Sequence, residues 1–357
     1  RRTLVALWAI LLTTATTAQV GVSPTEIVIG QTLTLQDGRN AYGVAVTEGV
    51  QAALDQINRA GGVLGRRVVV KVLDDNNQAT QAEANARKLI NEDKVFLVFG
   101  SIEGGPSMAV LKAATELGVP FFAPMAGSPG LRTPHQPLVF PVRADHKAEF
   151  GALMAHARSL GMTRIAFFRS DSETGLLHLA NVQRLAQEMG LELVADLAFK
   201  SDIDVAGIAA LTSRLISSKA QVIFNHGGIG TYEQLIRKSR EQGSRAQFYA
   251  VNSGSTQLAQ KLGPLAHGMI FSQVLPSPWE RKTEASRAYQ EAFSRFRPGQ
   301  PYSYGSFEGY LSAKALVEAL RRAGPQPTRA SFESGLRNAT LDVHGLPIAF
   351  REGEHTG

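Results

Sequence analysis

Chemistry, if this chain performs any, has few places to sit. The string Ala126-Gly127-Ser128-Pro129-Gly130 approximates the G-x-S-x-G elbow that lifts a nucleophilic serine out of a strand-to-helix turn. An elbow needs a helix directly after it. Instead Arg132-Thr133-Pro134 follows, and Pro134 and Pro137 forbid one. No histidine is placed by the sequence as the serine's base. The string therefore reads better as a glycine-bearing loop that lets backbone approach a ligand. Gly227-Gly228-Ile229-Gly230 follows a predicted strand but lacks the third glycine and the spacing of a dinucleotide fingerprint. Neither a phosphate-cradling P-loop nor an H-E-x-x-H zinc motif is present.

The eight histidines contain no i, i+4 pair, and His146 and His156 are too far apart along a helix to share a metal, so they read as surface or hinge groups. Asp74-Asp75-Asn76-Asn77 lacks the glycine and closing glutamate of a calcium loop. It stands where a strand meets a helix, which suits capping and turn duty. No catalytic residue, metal ligand or cofactor is expected.

The elements that would position a site follow from pattern. The 357 residues, 44% apolar and 19% charged, suit two globular domains or one large one. Short apolar runs at Ile27 to Gly30, Val68 to Leu73, Val95 to Phe99 and Pro120 to Ala123 predict buried strands. Between them Val46, Val50, Ala53, Leu54 and Ile57 form one helical stripe ending at Gly61-Gly62, and further helices cover Thr80 to Asn91 and Pro106 to Leu117. The same rhythm restarts. Strands at Ile165 to Phe168, Leu191 to Ala198, Val222 to Asn225 and Phe248 to Val251 alternate with helices at Thr174 to Met189, Val205 to Ser218 and Thr231 to Gln242. Three more helices, near Thr283 to Phe296, Phe307 to Ala323 and Thr328 to Asn338, are expected to cover the first sheet. The fold class is α/β, two open and mostly parallel sheets flanked by helices.

Charge and ends bound the partners. Lys plus Arg is 37 against 31 for Asp plus Glu. Beyond the N-terminus the Arg-Arg doublets are Arg66-Arg67 and Arg321-Arg322, without interleaved aromatics, so nucleic acid is not an expected partner. Arg1-Arg2, the apolar run Leu4 to Leu12 and the small residues up to Ala18 read as a signal peptide cleaved after residue 18. That run is too short to span a membrane. Cysteine is absent, which removes disulfides, thiolate sites and a lipidated tether. A periplasmic location follows as an expectation.

In open α/β sheets ligands bind at the carboxyl ends of strands, where helix N-terminal amides favour anions. The polar, glycine-rich loops there are Ser101 to Ser107, Pro124 to Gly130, Arg169 to Gly175, Asn225 to Gly230 and Asn252 to Ser255. A cleft between two such units, without catalytic groups, is the design of a solute receptor that closes by hinge motion.

From Glu26 onward the chain resembles the type I periplasmic binding proteins of ABC importers, in the branched-chain amino acid group. The carriers are Glu26-Ile27-Val28-Ile29-Gly30, the run from Ile57 through Gly61-Gly62 to Gly65, Asp74-Asp75, Phe99-Gly100-Ser101, Pro124 to Leu131, and Glu308-Gly309-Tyr310-Leu311-Ser312-Ala313-Lys314. The resemblance implies a two-lobed fold, with 25–143 and 275–357 in one lobe and 144–274 in the other. Of three hinge crossings, the last is expected beyond Gly357. It also implies a non-enzymatic, monomeric receptor that is not membrane-spanning, whose partners are a small-molecule ligand and ABC permease subunits of the inner membrane. A ligand-sensing regulatory protein of the same fold is the alternative.

Carried over by position, the relatives' carboxylate-gripping hydroxyls fall at Gly104 and Gly127, beside Ala126. Gly105 and Ser128 remain to offer backbone N–H groups and the Ser128 hydroxyl. The second-lobe tyrosines fall at Thr174 and Gly228, the acid that meets an ammonium falls near Asn252, and Tyr42 keeps its aromatic place. Glu103 is the candidate replacement for that acid. A pocket so widened is expected to take a carboxylate with an aromatic or extended apolar body, with Tyr42 as a stacking wall, in preference to leucine.

Overall fold

The computed structural model describes residues 19–200 and 202–355; the expected signal peptide, residues 1–18, lies outside them. The first sheet is built from β1 (Glu26–Leu33), β2 (Arg67–Asp74), β3 (Val98–Phe99), β4 (Phe121–Phe122) and β5 (Val139–Phe140). All are parallel, in the order β2-β1-β3-β4-β5. Helix α1 (Ala41–Arg59) begins at Asn40, whose side chain accepts the Gly43 N–H at 2.9 Å. It ends where Gly61 and Gly62 turn left-handed and the Gly62 N–H reaches Ile57 O. Helices α2 (Ala79–Asn91) and α3 (Gly104–Glu116) link the next strands and fill the opposite face.

Helix α4 (His146–Ser159) opens the second unit. There β6 (Arg164–Ser170), α5 (Glu173–Met189), β7 (Glu192–Phe199), α6 (Val205–Ser217), β8 (Val222–His226), α7 (Ile229–Glu241), β9 (Gln247–Ala250), α8 (Ser255–Leu262) and β10 (Ile270–Phe271) follow in turn. The parallel order is β10-β9-β8-β6-β7. Counted from its own first strand, each sheet has the same order, and each carries apolar clusters on both faces. Two α/β lobes with parallel sheets result.

The chain then returns to the first lobe with α9 (Glu284–Phe296), α10 (Tyr304–Arg322) and α11 (Arg329–Leu336). α10 lies against α1 so closely that a Cβ on Gly49 would stand 1.9 Å from the Ser306 carbonyl oxygen. Phe332 of α11 meets Phe96, Phe122 and Phe140 edge-on, at centroid distances of 6.0, 5.6 and 6.2 Å. Each such pair adds about 0.5–1.5 kcal/mol beyond area burial.

The remaining strands, β11 (Thr340–Val343), β12 (Leu346–Arg351) and β13 (Glu354–His355), make a small antiparallel sheet that the helix-only reading of this region did not anticipate. Its first turn is His344-Gly345, both at positive φ, with the Asp342 carboxylate accepting the Gly345 N–H at 2.7 Å.

Candidate functional site

In an open sheet the crevice lies where connections leave in opposite directions from adjacent strands. Here those points are β1/β3 in one lobe and β6/β8 in the other. Tyr42 follows β1, Glu103 and Gly104 follow β3, Thr174 follows β6, and Gly228 follows β8. These five predicted site residues thus stand on both switch points, whereas Ala126, Gly127 and Ser128 follow β4 and Asn252 follows β9.

On the first lobe, Glu103 is the N-cap of α3 but makes no side-chain cap bond, and its backbone sits at φ 62°, ψ 141°. A non-glycine residue costs about 1–3 kcal/mol there, and such strain clusters at binding sites. Burial, reinforced by the nearby Asp75 carboxylate, pushes the Glu103 carboxyl up to about 7. The next loop is held from behind: the buried Arg132 donates to the carbonyls of Ala126, Ser128 and Arg143 at 3.2, 3.3 and 3.0 Å. Ser128 is buried and its hydroxyl has no hydrogen-bond partner.

The lobes meet at Gly104. A Cβ there would stand 2.9 Å from Ser128 Oγ and 3.0 Å from Thr174 Cγ2, so the glycine, the serine and the second-lobe threonine converge at one point. Ala126 is buried, whereas Gly105 is exposed and Gly228 would meet nothing within 4 Å. Gly127 is tighter: its Cβ would come within 2.5 Å of the His146 ring, and its carbonyl accepts the His146 N–H at 3.0 Å. Helices α3, α7 and α8 begin with no side-chain cap bond, as does α2, leaving first-turn amides for oxygen atoms from elsewhere. By contrast α1, α4, α5 and α6 are capped by Asn40, Asp145, Ser172 and Asp204.

Tyr42 and Asn252 occupy a different setting from the one read in sequence. The Tyr42 ring is buried, packs where Gly305 leaves room, and its hydroxyl donates to Glu308 at 2.9 Å, so it is not a free stacking wall in this conformation. Asn252 donates its side-chain amide to the same carboxylate at 3.1 Å and its backbone N–H to Glu149 at 2.7 Å. Its Oδ1 is buried and unpartnered. Between the two carboxylates lies Arg143, paired with Glu149 and, at 3.4 Å, with Glu308; these side chains are only 2–3% exposed. Burial opposes ionisation of Glu149, but Arg143 and hydrogen bonds from His146 and Asn252 outweigh it and hold its carboxyl at about 2. Burial wins at Glu308, whose carboxyl is raised despite Arg143 and Tyr42. The acid beside Asn252 is therefore Glu308. Sequence reading quoted Glu308 only as part of a family stretch, because its partners come from remote segments.

Asp74 serves the turn that precedes α1, accepting backbone N–H groups of Leu35, Gln36 and Asp37 at 2.9–3.1 Å. The surface reading of the histidines needs correction. His146, His178 and His226 come together with one ring nitrogen each within 4.8 Å of the others, and His178 is fully buried. They start α4, sit inside α5 and end β8, so no spacing along the chain could announce them.

Comparison with known proteins places this geometry. Residues 26–357 match the family described as periplasmic binding protein. A Leu/Ile/Val-binding protein of Rhizobium johnstonii is 26% identical over 91% of this chain and 86% of its own. Among solved structures, a possible leucine/isoleucine/valine-binding protein from Rhodopirellula baltica superposes with a TM-score of 0.85 at 21% identity, covering 93% of this chain and 91% of that one. An ABC-transporter solute-binding protein from R. palustris, in complex with benzoate, gives 0.80 at 16% identity, covering 93% and 90%. The chain belongs to the type I periplasmic binding proteins, in the branched-chain amino acid binding family. No helix among the described residues is long and apolar enough to cross a membrane.

Proposed function

We propose that this protein is the non-enzymatic solute-binding component of an ABC importer, exported by its N-terminal leader and working in the periplasm as a monomer. The lobes divide at 25–143 with 275–357, and 144–274. They close on a small organic solute bearing a carboxylate and an aromatic or extended apolar body. One observation carries the reading: Gly104 and Ser128 of the first lobe meet Thr174 of the second at a switch point, beside helices that begin uncapped. The unpartnered Ser128 hydroxyl and the amides of Gly104, Gly105 and Gly228 suit an anion. Asn252 Oδ1, an open buried acceptor, suits a solute N–H or O–H. Gly228, where added atoms would meet open space, favours a wider solute than leucine, whereas Gly104 and Gly127 already abut Ser128, Thr174 and His146. The benzoate held by the R. palustris neighbour is a precedent for that chemistry in this fold.

Titration calorimetry of the purified protein against benzoate, longer aromatic carboxylates and leucine tests the proposal. Micromolar or tighter binding of an aromatic carboxylate, with a smaller radius of gyration in small-angle scattering, is the expected result. Sub-micromolar leucine binding would overturn the ligand class. An unchanged radius at saturation would overturn hinge closure.

A further inference from the structure

The histidine cluster lies in the second lobe, one turn along α5 from Thr174, with His146 packed against Gly127. His178 is fully buried, and neither of its ring nitrogens has a hydrogen-bond partner; His226 Nδ1 is likewise buried and unpartnered. The ring centroids of His178 and His226 are 3.8 Å apart, and His146 lies 5.2 and 5.6 Å from them. Orphaned buried polar atoms are costly, and here they face one another.

His146 carries the further feature that marks a ligand. Its Nδ1 is 3.0 Å from Glu149 Oε1, an acceptor, so Nδ1 donates to the carboxylate and Nε2 keeps a lone pair. A carboxylate behind a histidine in this way fixes ring orientation and raises ligand basicity. The Glu149 carboxylate is itself anchored, by the Asn252 N–H and the Ser272 hydroxyl, each at 2.7 Å.

We propose that His146, His178 and His226 form a binding site for one divalent late first-row transition ion, of which Zn2+ is the representative. Imidazole nitrogen suits these ions and not Mg2+ or Ca2+. Three nitrogens lying within 4.8 Å of one another can all be reached from a point no more than about 2.8 Å away. Inward movement of under about 1 Å per ring then gives Zn–N distances of about 2.0–2.1 Å. Bound there, the ion ties the start of α4 and the second turn of α5 to the end of β8, three elements that otherwise meet only through packing.

The inference does not depend on the solute, and its test is separate. Chelator-stripped, full-length protein without solute is titrated with Zn2+ by calorimetry and with Co2+ by visible absorption. One ion per chain at sub-micromolar Kd is expected, and His178→Gln and His226→Gln should each weaken it at least about 100-fold. Circular dichroism of the metal-free variants reports folding; if His178→Gln does not fold, His226→Gln on the half-buried rim decides. Substoichiometric binding, or Zn2+ affinity unchanged in His226→Gln, overturns the site. Calcium and magnesium should not compete.

Discussion

Tyr42 and Asn252 end on the same atom: both donate to Oε2 of Glu308, at 2.9 and 3.1 Å, one from the start of the first helix and the other from the far lobe. One carboxylate oxygen thus takes hydrogen bonds from both lobes, and Arg143 stands behind it.

Replacing Arg143 leaves two buried carboxylates without their cation. Removing one partner of a buried ion pair costs about 3–5 kcal/mol, because the remaining charge stays desolvated. Urea denaturation should show Arg143→Met destabilised by about that amount. Glu308→Gln keeps acceptors for Tyr42 and Asn252, and should cost less than half as much. Equal losses would mean that hydrogen bonds, and not charge pairing, dominate the joint.

Glu103 gives a pH signature with a definite sign. Its folded pKa of about 7 lies above its ordinary 4.5, so the folded protein binds this proton more tightly than the unfolded chain does. Its contribution to stability is fully present below about pH 4.5 and is lost as pH rises through 7, at no more than about 1.4 kcal/mol per pH unit. Glu103→Gln should flatten that decline in denaturation midpoints between pH 5 and 8. An anionic solute should also bind more weakly above pH 7 in the native protein, and calorimetry should find that dependence reduced in the variant. An unaltered slope in Glu103→Gln would place the titration elsewhere.

Gly104 and Gly228 separate a contact position from an open one. Gly104→Ala puts a methyl group about where Ser128 Oγ and Thr174 Cγ2 now meet, so closing the cleft should cost about 1–2 kcal/mol and affinity should fall roughly tenfold. Gly228→Ala enters empty space and should change the melting temperature little. Titration calorimetry checks the first, and thermal melts the second. Identical affinities for Gly104→Ala and the native protein would show that the lobes do not approach at this position.

Much of the fold was legible because long amphipathic stripes and apolar strand runs carry their period in the sequence. The helix through Val46, Val50 and Ile57 and the strands around Ile165 and Val222 are of this kind. Two-residue strands are not: β5 is Val139–Phe140 with Pro137 before it and Pro141 after it, too short to show a period. The hairpin over residues 340–351 did carry a signal, the alternation Leu341, Val343 inward with His344-Gly345 between strands, but its first strand is only four residues, too short for a distinct period. At the site, glycines at 104, 127 and 228 were readable as gaps in a known pattern. Glu308, Arg143 and the three histidines were not, since each acquires its role from partners that only the folded chain brings within reach.

The joint built on Arg143 is sealed from solvent, and this sets it apart from the protein's outer charges. Dissolved ions screen charges that water can reach. Pairs such as Arg164 with Glu192, about half exposed, will fade as ionic strength rises, whereas Arg143 with Glu149, each 2% exposed, will not. In brackish or dilute surroundings alike, the angle at which the two arms rest is governed by the same undiluted electrostatics, while long-range attraction toward charged solutes varies freely around it.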